Sequence, residues 1–275
     1  MGSGAAGSRR HRLPNQEGPQ LKPGAFSCGW NATILAQYWK LATMNDHGLS
    51  KEELKRVLTF EGYGSKTAPY WFLGMEEGGG SMEELRERAK RFDHPVEDLC
   101  AALAKIGWGD MRRYVPTWRV MSTLIMAMGN SPKWQEKSSA IEYQATKLGR
   151  ADGETFLTEL MPLPCPGIKV WPYPLIFPSK KDYYAAVRPC RIKWLRSAIS
   201  ECKPPLVICY GKGNWRHHKE IFCDVNFRPE LNGKICVGER EHNIILLIPF
   251  LSPDLVSTAL ITQIADMFGR GRNEG

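Results

Sequence analysis

The segment that decides the fold is YWFLGMEEGGG, residues 70–80, in which an apolar run ends at a glycine and two carboxylates follow. The apolar run, residues 70–73, predicts a buried strand. Glu76 and Glu77 then lie just beyond its carboxyl end, at the edge of an open α/β sheet where ligands bind. The three glycines allow the backbone to turn sharply and to lie close to a ligand. The alternative is a strand–loop–helix connection whose acids lie on the surface.

The net charge of the chain indicates which kind of binding partner to expect. The 275 residues include 37 basic and 29 acidic side chains, which gives a formal net charge of +8. This excess favours an anionic partner such as nucleic acid, although many proteins without such a partner are equally basic. No apolar run approaches the roughly 20 residues that span a bilayer, and the N-terminus has no apolar signal-peptide core. We therefore predict a cytoplasmic protein that does not contact a membrane.

The cysteines and histidines do not predict a metal site. The eight cysteines are scattered without a CxxC pair, whereas zinc and iron–sulfur sites show tighter ligand spacing. We interpret them as reduced thiols, several of them buried. His217 and His218 are adjacent and would point in different directions on a strand or a helix. We therefore expect neither a metal nor a cofactor.

The pattern of apolar residues predicts one α/β domain behind a short arm. Residues 1–24 are rich in Gly, Ser, Pro and Arg, which predicts a disordered basic arm before a single domain over residues 25–275. Ser50 with Glu53 forms a capping box, and Ser81 is a candidate N-cap. The predicted helices are residues 30–44, the helix after Ser50, and residues 81–92, 96–106, 117–128, 136–148, 183–201 and 253–268.

Four apolar strands are predicted to form the centre of the domain. They are residues 70–73, 155–161, 205–210 and 243–248, and residues 223–237 add a strand or a hairpin that turns at Asn232-Gly233. Strands that alternate with helices predict an α/β fold with three layers, α/β/α, around a central, mostly parallel four-stranded sheet.

Each of the four strands ends in a polar or glycine-rich loop, and in a parallel sheet these ends meet at one edge. The loop over residues 211–219 is basic and aromatic, so it can hold phosphates and stack on bases. An acid at the same edge can activate water or stabilise a developing cation. The DNA-binding candidates are Lys212, Asn214, Trp215, Arg216 and Lys219.

These motifs resemble those of the uracil-DNA glycosylase superfamily. In that family the first strand ends in a Gly-x-Asp-Pro or Gly-Glu-x-Pro-Gly motif whose acid assists the attacking water, and Glu76 falls at that acid's position. A second motif ends a strand with an asparagine that reads the pyrimidine edge, and Glu159 takes its position. The family's last loop reads His-Pro-Ser-Pro. Here residues 250–253 read FLSP, so Phe250 replaces the histidine.

The resemblance covers roughly residues 65–268 and implies a uracil-DNA glycosylase-like fold and a DNA glycosylase. Such an enzyme hydrolyses the N-glycosidic bond of a flipped-out pyrimidine and leaves an abasic site. Glu159 accepts hydrogen bonds where asparagine both donates and accepts, which suits the amino group of a cytosine. The chain is therefore similar to the branch that defends bacteria by removing glucosylated hydroxymethylcytosine from phage DNA. The competing interpretation of Glu159 is an ion pair with a neighbouring Arg or Lys.

The resemblance also implies the roles of particular residues. The catalytic candidates are Glu76 first and Glu77 second, in a monomer that binds DNA with modified bases. The base-binding candidates are Glu159, Phe250, Tyr173 and Ser252.

Two other classes of function remain open. A nucleic-acid-binding module that has lost catalysis is favoured by the altered second and fourth motifs and opposed by the retained pair of acids. A nucleotide or sugar hydrolase could use the same edge, because a fold does not fix a function. In a glycosylase, Glu76, Glu159 and Phe250 should line one pocket, with Lys212 and Arg216 at its mouth.

Overall fold

Helices and strands alternate along the part of the chain that the computed structural model describes, residues 48–167 and 169–269. The predicted arm over residues 1–24 and the predicted helix over residues 30–44 lie outside these residues. The described helices are α1 (Lys51–Leu58), α2 (Met82–Arg91), α3 (Leu99–Ala104), α4 (Pro116–Met128), α5 (Lys137–Thr146), α6 (Lys180–Cys202), α7 (Trp215–Ile221) and α8 (Thr258–Gly269). A short 3-10 helix, Lys212–Asn214, leads into α7.

The described strands form one mixed sheet. They are β1 (Gly62–Gly64), β2 (Tyr70–Gly74), β3 (Val96–Glu97), β4 (Thr155–Glu159), β5 (Leu206–Tyr210), β6 (Arg228–Glu230), β7 (Ile235–Arg240) and β8 (Asn243–Ile248). Their order across the sheet is β3-β1-β4-β2-β5-β8-β7-β6. The central strands β4, β2, β5 and β8 run parallel to one another, so their carboxyl ends meet at one edge. We call this edge the carboxyl edge.

Helices pack against both faces of the sheet, because the central strands bury both sets of alternating side chains. Trp71 and Leu73 of β2 point into a core with α1, α2, α6 and α7. Tyr70 and Phe72 point to the other face and pack with α3, α4, α5 and α8. Since both faces are covered, solvent and ligands reach the central strands from their ends.

The local sequence explains where two helices begin. Ser50 and Glu53 form the predicted capping box at the start of α1. The Ser81 side chain accepts a hydrogen bond from the main-chain N–H of Glu84, as expected of an N-cap, and Glu83 and Glu84 lie in the first turn of α2. This cap fixes α2 directly behind the glycine-rich loop.

Three predictions about the elements are corrected by the structure. The sheet has eight described strands and not four, because short strands and a hairpin extend it on both sides. Val96–Glu97 is a strand that pairs with β1, and the helix predicted over residues 96–106 begins only after Asp98, whose side chain caps it. The C-terminal helix starts at Thr258 and not near residue 253, because residues 251–257 form turns.

The long helix α6 does not resemble a membrane span. No described helix combines the length and the apolar character that crossing a bilayer requires.

Candidate functional site

Three carboxylates lie at the carboxyl edge, at or just beyond the ends of the neighbouring strands β2 and β4. Gly74, the last residue of β2, pairs in register with Glu159, the last residue of β4. Pairing continues past the strands, since the main-chain N–H of Met161 donates to the carbonyl of Met75 at 2.7 Å. Glu76 and Glu77 follow immediately in the loop, so the two strand ends bring these acids close to Glu159.

Glu76 is held by the first two turns of α6. The Lys180 ammonium pairs with Glu76 Oε1, and the Tyr184 hydroxyl donates to Oε2 at 3.0 Å. Burial opposes the charged form of Lys180, but the hydrogen bond and the charge of Glu76, together with the neighbouring Cys165, raise the pKa of Lys180. We call Glu76, Lys180 and Tyr184 the Glu76 cluster.

Lys180 also connects the Glu76 cluster to the proline-rich loop. Its Nζ lies 3.3 Å from the Cys165 Sγ. Cys165 is itself buried, and its main-chain N–H donates to the carbonyl of Glu77 at 2.8 Å. The loop after β4 is therefore fastened to the loop after β2 through both side chains and backbone.

Glu77 is turned toward α2. Its Oε2 pairs with the guanidinium of Arg88, which also contacts Glu84 at 3.1 Å. Burial opposes the charge of Arg88, but the Glu77 carboxylate prevails and raises the pKa of Arg88. Burial, followed by the nearby Glu77 carboxylate, raises the pKa of the Tyr63 hydroxyl on β1. Both predicted catalytic acids therefore have basic partners, on different helices.

At one position in the run of glycines, the absence of a side chain lets the backbone lie close to the proline-rich loop. Gly80 has φ of +109°, and a Cβ there would lie 2.6 Å from the Pro164 carbonyl oxygen and 2.6 Å from the Tyr173 hydroxyl. A side chain at Gly80 would therefore push the two loops apart. Gly78, by contrast, has open space where a Cβ would be.

Glu159 is bound by a tyrosine across β2. The Tyr210 hydroxyl, at the end of β5, donates to Glu159 Oε1 at 2.7 Å, while Oε2 is buried and has no hydrogen-bond partner among the described residues. Gly74 lies beneath this bridge, since a Cβ there would lie 2.0 Å from Glu159 Oε2 and 2.3 Å from the Tyr210 hydroxyl. We call Glu159, Tyr210 and Gly74 the Glu159 cluster.

Burial raises the pKa of Glu159 to about 8, so that its neutral form predominates at pH 7. The hydrogen bond from Tyr210 acts in the opposite direction, and the nearby charges of Glu77 and Glu76 raise the pKa further. The guanidinium of Arg191 donates to the main-chain carbonyl of Glu159 at 2.7 Å. The structure therefore places a cation beside the Glu159 backbone and a hydroxyl on its carboxyl group.

The predicted basic loop follows β5 directly at the carboxyl edge, but most of it is helical: Lys212–Asn214 form the 3-10 helix, and Trp215, Arg216 and Lys219 lie on α7. We keep the name basic loop for residues 211–219. Lys212, Arg216 and Lys219 are exposed. Trp215 is half-buried, and its indole N–H donates to the carbonyl of Ile248 at 3.1 Å, so its ring is anchored between the ends of β5 and β8. Asn214 is the half-buried residue that precedes α7. Lys212 Nζ lies 5.5 Å from the Trp215 ring and Lys219 Nζ 5.4 Å from the Phe227 ring, so three exposed cations lie beside aromatic or histidine side chains at this edge of the sheet.

The predicted base-binding residues lie in different environments. Phe250 is 47% exposed, and its ring centroid lies 6.1 Å from that of Tyr210, which connects it to the Glu159 cluster. Ser252 lies in the same turn, where its carbonyl accepts from the main-chain N–H of Val256 at 2.9 Å. Tyr173 is fully buried and donates to the Pro164 carbonyl at 2.7 Å. It therefore supports the proline-rich loop from within and has no ring face open to a base.

The histidines of α7 also lie behind this edge. His217 Nδ1 lies 2.7 Å from the Arg188 guanidinium, and His218 is buried. Burial lowers the pKa of His218 to about 4, which keeps its imidazole neutral. Within residues 48–167 and 169–269, His, Cys, Asp and Glu side chains form no group of three or more that could hold a metal ion.

The partners of Glu76 could not be read from the sequence. Lys180 and Tyr184 lie more than 100 residues from Glu76 along the chain. Tyr210 was assigned only to a strand, although its position at the end of that strand is the signal that could have identified it. In comparisons with known proteins, no family model matches the chain and no curated protein matches it.

Proposed function

We propose that the protein is a DNA glycosylase that removes a modified, cytosine-type pyrimidine from DNA. The observation that carries this proposal is the convergence of Glu76, Glu77 and Glu159 at the ends of two paired parallel strands. The carboxyl ends of such strands are where α/β proteins bind ligands. The resemblance of the surrounding motifs to the uracil-DNA glycosylase superfamily supplies the reaction.

The acids match what the reaction requires. Breaking the glycosidic bond develops positive charge on the sugar, and a carboxylate beside it stabilises that charge and orients the attacking water. Glu76 takes this role, with Glu77 as the second candidate. Lys180 and Tyr184 hold the Glu76 carboxylate in one orientation, which favours its use as a preorganised group.

The surroundings match what a flipped base requires. Extruding a base from the duplex costs a few kcal/mol, which contacts to the DNA backbone and to the base must repay. The exposed side chains of Lys212, Arg216 and Lys219 can bind phosphates beside the edge. Phe250 offers an exposed aromatic face next to the Glu159 cluster.

The test is excision from matched oligonucleotides that contain uracil, cytosine, hydroxymethylcytosine or glucosylated hydroxymethylcytosine, with abasic sites as the readout. We expect release of a modified cytosine and no efficient release of uracil. Glu76→Gln should lower the rate by orders of magnitude while the protein stays folded. Glu77→Gln is the matched control: parental activity in Glu76→Gln with inactive Glu77→Gln would move the catalytic role by one residue.

A nucleic-acid-binding module without catalysis is the second candidate. The observation that favours it is that both acids are ion-paired, Glu76 with Lys180 and Glu77 with Arg88, as purely structural carboxylates often are. Tight DNA binding by the wild-type protein without abasic sites on any of the four oligonucleotides would support this candidate against the glycosylase.

A further inference from the structure

The carboxyl group of Glu159 is unusually constrained for an acid at a strand end. Tyr210 holds Oε1 from β5, and Oε2 lies over Gly74, where only a residue without a side chain leaves room for it. Oε2 is buried and lacks a hydrogen-bond partner among the described residues. A buried polar atom without a partner carries a penalty of about 1–3 kcal/mol, so such an atom at a ligand-binding edge points to a partner supplied by a ligand.

The titratable and charged groups around this carboxyl group come from β5, β1, the loop after β2 and α6. From β5 and β1 it meets the hydroxyls of Tyr210 and Tyr63, and from the loop after β2 it meets the carboxylates of Glu77 and Glu76. From α6 it meets Arg191, whose Nη2 donates to the Glu159 carbonyl and whose Nε lies 3.3 Å from the Leu160 carbonyl.

An ionised Glu159 would be poorly stabilised in these surroundings. It would place a bare, buried oxygen near two further carboxylates, and low-dielectric burial and like charges both disfavour the charged form. A neutral carboxylic acid avoids this penalty and carries one O–H donor besides its acceptor oxygen. Because Tyr210 donates to Oε1, Oε1 is the acceptor, and the proton belongs on Oε2.

We propose that Glu159 reads the target base as a neutral carboxylic acid, with Oε2–H donating to a ring acceptor of the pyrimidine and Oε1 accepting from the adjacent exocyclic amine. This inference rests on the proposed glycosylase function and names the substrate edge more closely. Cytosine-type bases present such an acceptor, N3, next to the N4 amine. An ionised carboxylate would offer only acceptors and would repel the N3 lone pair.

The first test is the pH dependence of kcat/KM on the best modified-cytosine oligonucleotide. If the neutral acid is the active form, activity falls as pH rises through about 8, approaching tenfold for each further pH unit. Glu159→Gln keeps a donor and an acceptor in the same shape, so it should retain activity within about tenfold and lose this alkaline decline. A wild-type profile that stays flat to pH 9.5, or an inactive but folded Glu159→Gln, would overturn the proposal.

Two further variants keep this result interpretable. Tyr210→Phe removes the hydroxyl that favours the charged form, so the alkaline decline should move to higher pH. Glu154→Gln is the matched control, because Glu154 precedes the same strand, is exposed, and also accepts from a tyrosine, Tyr143, at 2.7 Å. It should leave the profile unchanged.

A second readout does not depend on catalysis. The pKa of Glu159 is higher in the folded chain, about 8, than its ordinary value of 4.5. The folded state therefore holds the proton longer, and the contribution of Glu159 to stability, complete below pH 4.5, is lost as pH rises to 8 and above. The Tm of Glu159→Gln relative to wild type should accordingly increase from pH 5 to pH 9.

The two readouts separate this inference from the proposed function. A Tm difference that does not change with pH would overturn the neutral carboxyl group, whatever the enzyme does. A difference that grows with pH in a protein that excises no base would overturn the base-reading role together with the glycosylase function. It would leave Glu159 as a buried, protonated structural residue.

Discussion

The Glu76 cluster and the Glu159 cluster each contain a glutamate and a tyrosine, and they lie at adjacent strand ends. They differ in the partners of the two carboxyl oxygens. Glu76 receives a lysine and a tyrosine, one on each oxygen. Glu159 receives only the Tyr210 hydroxyl on Oε1, and its other oxygen is buried without a described partner. The difference shows that neighbouring acids at one edge can have different hydrogen-bond partners, and burial raises the pKa of Glu159.

Under the proposed function, this contrast has a use. An enzyme that breaks a glycosidic bond needs a charged carboxylate near the sugar, while recognition of a base edge benefits from a group that both donates and accepts. The partners of Glu76 come from α6, and the partner of Glu159 comes from β5. The proposed roles of Glu76 and Glu159 therefore depend on separate elements and can be perturbed separately.

The largest expected effect comes from filling the space beneath the Glu159 cluster. In Gly74→Ala, the new Cβ would lie 2.0 Å from Glu159 Oε2 and 2.3 Å from the Tyr210 hydroxyl, so the bridge between β4 and β5 must open. We expect a loss of about 3 kcal/mol in the free energy of unfolding, measured by urea denaturation.

The control for this prediction is Gly78→Ala, in the loop that follows. A Cβ there meets nothing within 4 Å, so stability should stay within about 0.5 kcal/mol of wild type. Equal effects of the two alanines would show that Gly74 is not needed for the bridge, and the account of the Glu159 cluster would fail.

A smaller loss of stability is expected when the lysine that pairs with Glu76 is removed. Glu76 then resembles Glu159, whose carboxyl group has no cation paired with it in the described part of the chain. Among the described residues, Lys180→Met leaves the mostly buried Glu76 carboxylate with the Tyr184 hydroxyl as its one side-chain partner, and we expect a loss of about 2 kcal/mol in unfolding free energy. Adding Glu76→Gln to this variant should restore part of the loss, because it removes the unpaired charge.

The matched control is Lys90→Met, since Lys90 and Glu87 form an exposed pair 3.9 Å apart. Its effect should be within about 0.5 kcal/mol, as for most surface ion pairs. If the double variant Lys180→Met with Glu76→Gln is less stable than Lys180→Met alone, the contrast between the two clusters does not come from charge pairing.

The elements that the sequence predicted well are those whose signals are local. The capping box of Ser50 with Glu53, the cap at Ser81 and the apolar runs of β2 and β5 each depend on residues a few positions apart. The strands Gly62–Gly64 and Val96–Glu97 were missed because two or three residues carry no periodicity, and they exist through pairing with distant parts of the sheet.

The candidate site was predictable in position but not in its electrostatics. That Glu76, Glu77 and Glu159 lie at strand ends follows from the apolar runs before them. That Glu76 meets Lys180, 104 residues away, depends on how α6 packs against the sheet. From the sequence, Glu159 is expected to be an acceptor only, because the protonation state of a carboxyl group depends on its burial and its neighbours, which no local pattern records.

The smallest expected effect concerns the basic loop and tests the proposed DNA binding on the Glu159 side of the carboxyl edge. The loop leads directly from Tyr210 of the Glu159 cluster, and its three cations are exposed. We expect DNA binding to weaken by about tenfold at low salt, for every sequence tested, in the triple variant Lys212→Ala, Arg216→Ala, Lys219→Ala. It should also flatten the dependence of log K on log salt by up to about three units, because fewer counterions are released.

The control changes three exposed lysines outside the edge loops, Lys147, Lys193 and Lys203, and removes the same charge. An identical loss of DNA affinity in both triple variants would mean that only the net charge of the protein affects binding. The basic loop beside the Glu159 cluster would then not be a specific DNA contact.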